Sequence, residues 1–335
     1  MNRLIKWLGR LMLLLTLVLL GATGYGVSQW QKLEAMTIAA PSEPLFVVAR
    51  GETTFNLINR LAAEPVSGLH RRLWLKFHPE LAAVRQGVYR LEPGTRLRDA
   101  LMTFVDGDVY QLRVTLVEGL RLTDWLKRLA ESEYLDSELG GVSEAELAER
   151  LGVEQGKLEG LFLPETYSYT PGETDLLILQ RAHQEMQQFL DEAWEDRAPG
   201  LPIASPYEAL ILASIIEKET GIAEERPLIA SVFVNRLRRG MRLQTDPTVI
   251  YGMGEDYDGN IRKRDLQTHT AYNTYMIDGL PPTPIAMPSK EAILAALQPA
   301  QSDYYYFVAM GEGRHYFSRT LREHNSAVRR YILKR

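Results

Sequence analysis

The sequence predicts an α+β fold with a single N-terminal transmembrane helix, a small strand-helix module and a larger mixed α+β domain. Three observations favour this architecture. An uncharged apolar stretch near the N-terminus is long enough to cross a bilayer. Two later segments repeat the order strand, glycine turn, helix, and the long helical patterns begin only beyond residue 160. With 335 residues, of which 45% are hydrophobic, the chain can bury one large core or two moderate ones.

The composition argues against several classes of protein. The formal net charge of -5 provides no global positive field for nucleic acid, so we expect no nucleic-acid partner, although a local basic groove stays compatible with it. The chain has no cysteine, which excludes disulfides, zinc-thiolate sites and thiol nucleophiles. Its six histidines lack the spacing of metal ligands, and we expect neither a metal nor a cofactor.

The N-terminal residues predict a membrane anchor over residues 11–31, preceded by a cytoplasmic tail over residues 1–10. The tail carries three cations, the span carries no charge, and Trp7 and Trp30 lie where interfacial aromatic residues are expected. Because the cations precede the span, we expect the rest of the chain to be exported. A cleaved signal peptide is the alternative, since small residues at 21–24 suit a peptidase, but the apolar stretch continues beyond them.

Two further regions are predicted between the anchor and residue 160. Residues 32–44 contain two prolines and several small residues, which favours a linker, and residues 45–159 are predicted to form a module with its connector. The repeated plan of that module comprises, in order, strands at 44–48 and 112–117, turns at Gly51 and Gly119, and helix starts at Thr53 and Thr123. Small glycan-binding modules of the LysM kind look similar, whereas two ordinary α+β elements are the interpretation that the pattern alone favours.

Residues 160–335 are predicted to form the second domain. An aromatic segment precedes a long helix predicted over 174–194, and a proline-glycine break separates this helix from the next one. The next helix begins at a capping box in which Ser205 caps and Glu208 reaches back, with proline at the first helical position. It is apolar nearly all round up to Gly221, which predicts a buried core helix that ends there.

Two carboxyl groups lie at the end of this predicted core helix, where an unpaired charge is costly. Glu217 and Glu219 are two residues apart, so they point away from each other and cannot act as one dyad. Glu219 lies on the apolar stripe, where the helix dipole and apolar neighbours raise a carboxyl pKa as a general acid requires. Glu217 can instead be structural, paired with an arginine such as Arg226 or Arg236. The alternative interpretation is that both glutamates are merely paired with cations.

Several blocks of sequence resemble the endolytic murein transglycosylases, the MltG or YceG-like family. The blocks lie, in the family's order and spacing, at residues 117–119, 213–220, 225–226, 230–237, 240–252, 270–275, 279–282 and 306–309. The resemblance implies an inner-membrane enzyme with a periplasmic catalytic domain over residues 160–335, which cleaves within nascent peptidoglycan strands and helps set their length. It maps the family's essential glutamate onto Glu219. It also suggests penicillin-binding synthases and the elongation or division machinery as partners.

The resemblance implies a mechanism with one carboxyl group and no cofactor. Protonated Glu219 donates to the oxygen of the MurNAc-GlcNAc β-1,4 bond, and its carboxylate then takes the proton of the MurNAc C6 hydroxyl, which closes a 1,6-anhydro ring. Residues predicted to line or support the cleft are Glu217, Asp246, Thr248, Tyr251, Tyr272, Asn273 and Tyr275. Turn formation at Asp246 and helix capping by Asn273 are the alternative interpretation of two of them.

Other functions stay open at this point. A muramidase-type hydrolase acting on the same bond would use a second carboxylate and leave a reducing MurNAc end. A non-catalytic scaffold would bind peptidoglycan and recruit synthases. A serine-lysine hydrolase built on Ser214 and Lys218 is disfavoured, because the hydroxyl would lie in the middle of a helix with no oxyanion hole. For His315, in the segment 313–317, the sequence leaves two positions open, the lining of the cleft or a surface turn, and it favours the turn.

Overall fold

The computed structural model describes residues 2–39, 45–153 and 157–333, with side chains from residue 7 onward, so residues 40–44 of the predicted linker lie outside the described residues. The chain divides into two compact units, Met1–Leu112 and Arg113–Arg335. The first contains α1 (Asn2–Ala35), β1 (Leu45–Val48), α2 (Thr54–Leu61), α3 (Gly68–Phe77), β2 (Gly87–Arg90) and α4 (Leu97–Asp106).

The second unit follows with short strands and nine described helices. These elements are β3 (Leu112–Thr115), α5 (Leu122–Ala130), α6 (Glu144–Leu151), β4 (Thr166–Tyr169), α7 (Asp175–Glu195), α8 (Pro206–Glu219), α9 (Arg226–Arg238), α10 (Asp246–Met253), α11 (Lys263–Gln267), α12 (Lys290–Leu297), β5 (Tyr306–Gly311), β6 (Arg314–Ser318) and α13 (Leu321–Tyr331). The strands pair two by two, β1 with β2, β3 with β4 and β5 with β6. The predicted mixed α+β fold is confirmed.

α1 is an apolar helix of 34 residues whose end is part of the first unit's core. Its segment Trp7–Ala35 has the length and the mean hydropathy, 1.9, of a membrane span, and a signal sequence has the same properties. The helix continues through residues 32–35, which were predicted to be linker. It does so because Leu33 is buried and Glu34 accepts a hydrogen bond from Trp74.

The first unit has the order strand, helix, helix, strand over β1, α2, α3 and β2. The two strands are antiparallel, with Leu45 opposite Arg90. Thr53 caps α2 as predicted, since its side chain accepts a hydrogen bond from the Asn56 N–H. The core of this unit includes the fully buried side chains of Leu57, Ile58, Trp74, Tyr89 and Phe104.

The segment 113–159 belongs to the second unit, whereas the sequence analysis grouped it with the first. Its strand β3 pairs with β4, and the Leu116 N–H donates to the Glu165 carbonyl at 3.0 Å. The Gly119 N–H donates to the carbonyl of Met287 at 2.8 Å. These bonds join residues far apart along the chain, which a local pattern of hydrophobicity does not reveal.

α8 is the central helix of the second unit and packs against α7, α9 and α12. Ser205 caps it and Pro206 is its first residue, as predicted, and residues 209–216 are buried. The helix ends at Glu219, because Thr220 has an extended backbone with φ -148° and ψ 135°. Thr220, and not the predicted glycine after it, therefore terminates the helix and leaves the Glu219 carboxyl group at its carboxyl end.

Candidate active site

A cavity of about 390 Å³ opens at the carboxyl end of α8. It is surrounded by α8, α9, the loop before α10, the β5–β6 hairpin and the start of α13. The polar and titratable side chains that line it are Glu219, Arg236, Gln244, Thr245, Asp246, Tyr275, Tyr306, His315 and His324. Three of the residues predicted from the sequence, Glu219, Asp246 and Tyr275, therefore meet in one cavity.

Glu219 is half-buried in this cavity, and its surroundings favour the protonated form. Burial raises the pKa of Glu219 to about 7, the Thr245 hydrogen bond and the Arg236 guanidinium oppose the rise, and the Asp246 carboxylate adds to it. The Thr245 hydroxyl donates to Oε1 of the carboxyl group. A carboxyl group with this pKa is partly protonated near neutral pH, as a general acid must be.

A cluster of three threonines holds Thr245 against Glu219. The Thr245 N–H donates to the Thr274 hydroxyl at 3.1 Å, and the Thr248 hydroxyl donates to the Thr245 carbonyl at 2.8 Å. The hydroxyls of Thr248 and Thr274 are also 2.8 Å apart. Thr248 is fully buried and so acts on the site only through Thr245. Gln244, just before this cluster, has a left-handed backbone with φ 52°, an uncommon conformation for a residue with a side chain.

Arg236 is buried beside the cavity and fixes the elements around it. Its Nε donates to the Tyr305 carbonyl at 2.6 Å, and its Nη1 donates to the Leu243 carbonyl at 2.9 Å. Its guanidinium lies over the Tyr306 ring, 5.1 Å from the ring centre. One cation thus ties α9 to β5 and to the loop that carries Thr245. Arg236 is therefore not the partner of Glu217 that the sequence suggested.

Asp246 and Tyr275 form a hydrogen-bonded pair on the wall of the cavity. The Tyr275 hydroxyl donates to Asp246 Oδ1 at 2.7 Å. Asp246 is exposed and is the first residue of α10, where the helix dipole favours a negative charge. Burial raises the pKa of Tyr275 above its ordinary value, so its hydroxyl stays protonated and remains a donor.

Glu217 points away from the cavity and has a structural contact. Its carboxylate accepts hydrogen bonds from the main-chain N–H and the hydroxyl of Ser289. Ser289 is the residue that caps α12, and its own hydroxyl accepts from the Ala292 N–H at 3.2 Å. Glu217 therefore supports the junction of α8 and α12, with a serine in place of the predicted arginine.

Tyr251 and Tyr272 belong to a second polar cluster outside the residues that line the cavity. Their rings are 4.9 Å apart, and the Tyr251 hydroxyl donates to Glu159 Oε2 at 3.3 Å. The other carboxylate oxygen of Glu159 accepts from the Leu122 N–H at 3.0 Å. Burial raises the pKa of Glu159 to about 7. The cluster links α10 to the start of α5.

Asn273 is buried and serves the loop that precedes Tyr275. Its side-chain amide donates to the carbonyls of Asp265, Leu266 and Thr268 at 3.1, 3.2 and 2.6 Å. Its carbonyl oxygen accepts from the Tyr275 N–H at 3.0 Å. All of its polar groups are engaged with main chain, so the observed role is to shape the loop that presents Tyr275.

Two histidines line the cavity: His315, for which the sequence favoured a surface turn over the cleft, and His324, which was not predicted. His315 lies on β6, and its N–H and Nδ1 hydrogen-bond the two carboxylate oxygens of buried Glu225 at 3.1 and 2.8 Å. His324 lies on α13 and stacks on Tyr306 with ring centres 5.3 Å apart. Burial and the nearby Arg236 lower the pKa of His324, so it is neutral near pH 7.

The local sequence could not decide between cleft and surface for His315, and it gave no signal for His324. They come from a hairpin and a helix almost 100 residues after Glu219, and only the fold brings them together with it. Among the residues that the structure describes, no three His, Asp or Glu side chains converge as the ligands of a metal ion would.

Comparisons with known proteins identify relatives of this chain. The profile of the YceG-like family matches residues 46–330. An endolytic murein transglycosylase of Bacillus subtilis (strain 168) is 33% identical over 267 residues, which cover 73% of this chain and 72% of the relative. One of Streptococcus pneumoniae serotype 2 is 32% identical over 182 residues, which cover 52% of this chain and 32% of that protein. A 2.6 Å crystal structure of a yceG-like protein from Listeria monocytogenes is 26% identical, covers 84% of this chain and 98% of its own, and superposes with a TM-score of 0.50.

Proposed function

The chain belongs to the YceG-like family, and from this membership we propose that it is a lytic transglycosylase, a lyase that cleaves peptidoglycan strands with Glu219 as its single catalytic acid and base. The observation that carries the proposal is a half-buried carboxyl group with a pKa of about 7 in a polar cavity at the end of α8. Its relatives named endolytic murein transglycosylase support the substrate class.

Cleavage begins with proton transfer from Glu219 to the oxygen of the β-1,4 bond between MurNAc and GlcNAc. The bond from that oxygen to C1 of MurNAc breaks, the GlcNAc side leaves with a free 4-hydroxyl, and positive charge develops at C1. Because Thr245 donates to Oε1, Oε2 is the oxygen left to carry the proton. Thr245 and Arg236 both favour the carboxylate that forms, since each lowers the pKa of Glu219.

The Glu219 carboxylate then takes the proton of the MurNAc C6 hydroxyl. O6 attacks C1 and closes a 1,6-anhydro ring, and Glu219 returns to its protonated form, so no water is consumed. The nucleophile belongs to the same sugar and therefore has a high effective concentration.

Substrate contacts are assigned to the side chains that line the cavity. Asp246 and Tyr275 offer a carboxylate and a hydroxyl to sugar hydroxyls or an N-acetyl group, and His315 offers a ring whose orientation Glu225 fixes. The other predicted residues have supporting contacts outside the cavity lining. Glu217 bonds the cap of α12, Thr248 bonds Thr245, Asn273 shapes the loop before Tyr275, and Tyr251 and Tyr272 belong to the Glu159 cluster.

The setting of the enzyme is the second part of the proposal. α1 is an uncleaved anchor in the inner membrane, with its N-terminus in the cytoplasm and the second unit in the periplasm, as the three cations before the span favour. The strand-helix-helix-strand order of β1, α2, α3 and β2 is that expected of a LysM-like module, and we assign glycan binding to it. The enzyme cuts nascent strands and limits their length, together with penicillin-binding synthases and the elongation or division machinery.

Product analysis tests the catalytic proposal. Purified glycan strands are incubated with the chain and with its Glu219→Gln variant, and the fragments are weighed by mass spectrometry. We expect fragments with 1,6-anhydro-MurNAc ends from the wild type and none from the variant. Fragments that each carry one additional water would instead identify a muramidase-type hydrolase. Binding of the strands without any cleavage would identify a scaffold.

One observation favours the hydrolase as a second candidate. Asp246 is a second carboxylate among the described residues that line the cavity, and a hydrolase needs such a group to activate water or to form a covalent sugar. Asp246→Asn separates the two functions. The transglycosylase would keep making anhydro ends with this variant, whereas the hydrolase would lose cleavage as completely as with Glu219→Gln.

A further inference from the structure

α3 carries an apolar stripe that stays largely exposed in the described chain. Leu69, Leu73 and Phe77 follow each other at four-residue intervals on one face of the helix. Their side chains are 66%, 45% and 68% exposed. The neighbouring face of the helix is engaged in the core through Trp74, which is fully buried. Three large apolar side chains in a row on a water-exposed helix mark an interaction surface.

The stripe continues into the apolar helix α1. Together, the two helices of the first unit form an apolar groove of about 620 Å³, which Tyr25 and Trp30 line from the side of α1. Tyr25 packs edge-on against His70 with ring centres 5.6 Å apart, and Trp30 packs edge-on against Phe77 at 5.3 Å. α3 thus lies alongside the last turns of the helix that has the length and hydropathy of a membrane span.

The depth of this contact matches the interface of a bilayer. Tyr25 and Trp30 are five residues apart, which corresponds to about 7.5 Å along a helix axis at 1.5 Å per residue. Amphipathic helices that lie in a membrane interface bury their apolar face by about 5–10 Å, and tyrosine and tryptophan are the residues typical of that layer.

Two cations border the stripe on its solvent side. Arg72 and Lys76 are exposed and lie four residues apart on α3. Arg72 directly precedes Leu73, and Lys76 directly precedes Phe77. Long basic side chains in this position can lay their apolar stems along the acyl region and place their charges at lipid phosphates.

We propose that α3 is an interfacial membrane helix, and that the groove between α1 and α3 holds the acyl chain of an anionic phospholipid whose phosphate contacts Arg72 and Lys76. The inference rests on the proposed role of α1 as an anchor. It gives the first unit a second attachment to the bilayer, which restricts how far the module can turn about α1.

Site-directed spin labelling of the full chain tests this proposal, and it needs no background mutation because the sequence contains no cysteine. Leu73→Cys and Phe77→Cys carry the label on the stripe. Asp99→Cys, on an exposed position of α4 in the same unit, is the water-facing control, and Leu14→Cys is the lipid-facing control in α1. Each variant is placed in nanodiscs of phosphatidylethanolamine and phosphatidylglycerol. Power saturation then compares its accessibility to oxygen, which partitions into lipid, with that to a water-soluble nickel chelate.

We expect the oxygen-to-nickel ratios of the Leu73 and Phe77 labels to approach that of Leu14 and to exceed that of Asp99. In phosphatidylcholine nanodiscs the two ratios should fall, because the anionic partner of Arg72 and Lys76 is missing. Stripe labels as accessible to nickel as Asp99, while Leu14 stays in lipid, would overturn this inference and leave the anchor standing. Labels shielded from both reagents would mean that a second protein chain occupies the groove, which also overturns it. A Leu14 label in water would reject the anchor itself.

Discussion

The contacts of the two glutamates of α8 predict that Glu219 is catalytic and Glu217 is structural. Glu219→Gln removes the proton donor while keeping the size of the side chain, so we expect loss of glycan cleavage with little change in folding. Glu217→Gln is the matched control, because its amide oxygen can still accept the hydrogen bonds of Ser289. Cleavage of purified strands, followed by chromatography of the fragments, checks both variants. Equal loss of activity in the two would contradict the division.

The neighbours of Glu219 predict how activity depends on pH. As a general acid Glu219 must be protonated, so kcat/KM should fall as pH rises through about 7, the pKa of this group. Thr245→Val removes a hydrogen bond that lowers that pKa, which should move the falling limb to higher pH. Asp246→Asn removes a negative charge that raises it, which should move the limb to lower pH. Profiles that shift in the same direction, or not at all, would show that another group titrates.

The contact between Glu225 and His315 gives a prediction about substrate binding. Glu225→Gln loses the charge that holds the His315 ring by its Nδ1, so we expect a higher KM for glycan strands. The pH limb near 7 should stay in place, because Glu219 is unchanged. Glu224→Gln, at the exposed neighbouring position, is the control and should leave KM unaltered. A lowered kcat with an unchanged KM would point to a role of His315 in the chemical step.

The loop before Tyr275 is held in shape by one buried residue, Asn273. Asn273→Ala removes the side-chain amide that donates to three main-chain carbonyl groups, and it should cost about 1–3 kcal/mol of unfolding free energy. We also expect weaker glycan binding, because the Asn273 side chain accepts the N–H of Tyr275. Denaturant unfolding measures the first effect. Gln267→Ala, at the exposed last residue of α11, should leave the midpoint unchanged.

Local sequence rules predicted where helices begin better than which elements pack together. Ser205 and Thr53 cap the helices expected of them, since a side-chain cap depends only on residues within one turn. α5 begins differently: Asp124 accepts from the Arg121 N–H at 3.1 Å, and the predicted cap Thr123 lies inside the helix. An aspartate three residues after an arginine is a weaker sign of a helix start than a threonine is. The pattern therefore favoured Thr123 as the cap, although the helix begins after Arg121.

The cavity could be predicted from the sequence only in part. Glu219 was identified because its position at the end of an apolar helix is a local property, and the family resemblance that singled it out is confirmed. Thr248 and Asn273 were predicted to line or support the cleft, and both are buried, since no pattern tells which side of a short loop faces a cavity. For His315 the surface turn was favoured and His324 was missed, because the fold alone brings the C-terminal hairpin and α13 to α8.

The two units of the molecule have separate cores, and the cavity belongs entirely to the second. Every described residue that lines it lies between 219 and 324. Substitutions in the first unit should therefore change where the enzyme works and how long it stays on a strand, and leave the bond that it cuts unchanged. In the proposed setting, α1 is the element that determines where the enzyme is located.

The retention of α1 can be decided by the mass of the protein in the cell. The side chains of Leu33 and Glu34 belong to the fold of the first unit, but cleavage at the small residues 21–24 would leave them in place, so folding alone does not protect the helix. We expect the uncleaved chain, because the apolar segment continues past those residues and the span needs about 20 of them. Protein extracted from washed membranes should then still contain the residues of α1 in its mass spectrum, and carbonate should not release it. A shorter, carbonate-soluble chain that begins after residue 21 would identify α1 as a signal peptide, and the proposed attachment of the first unit to the bilayer would fail with it.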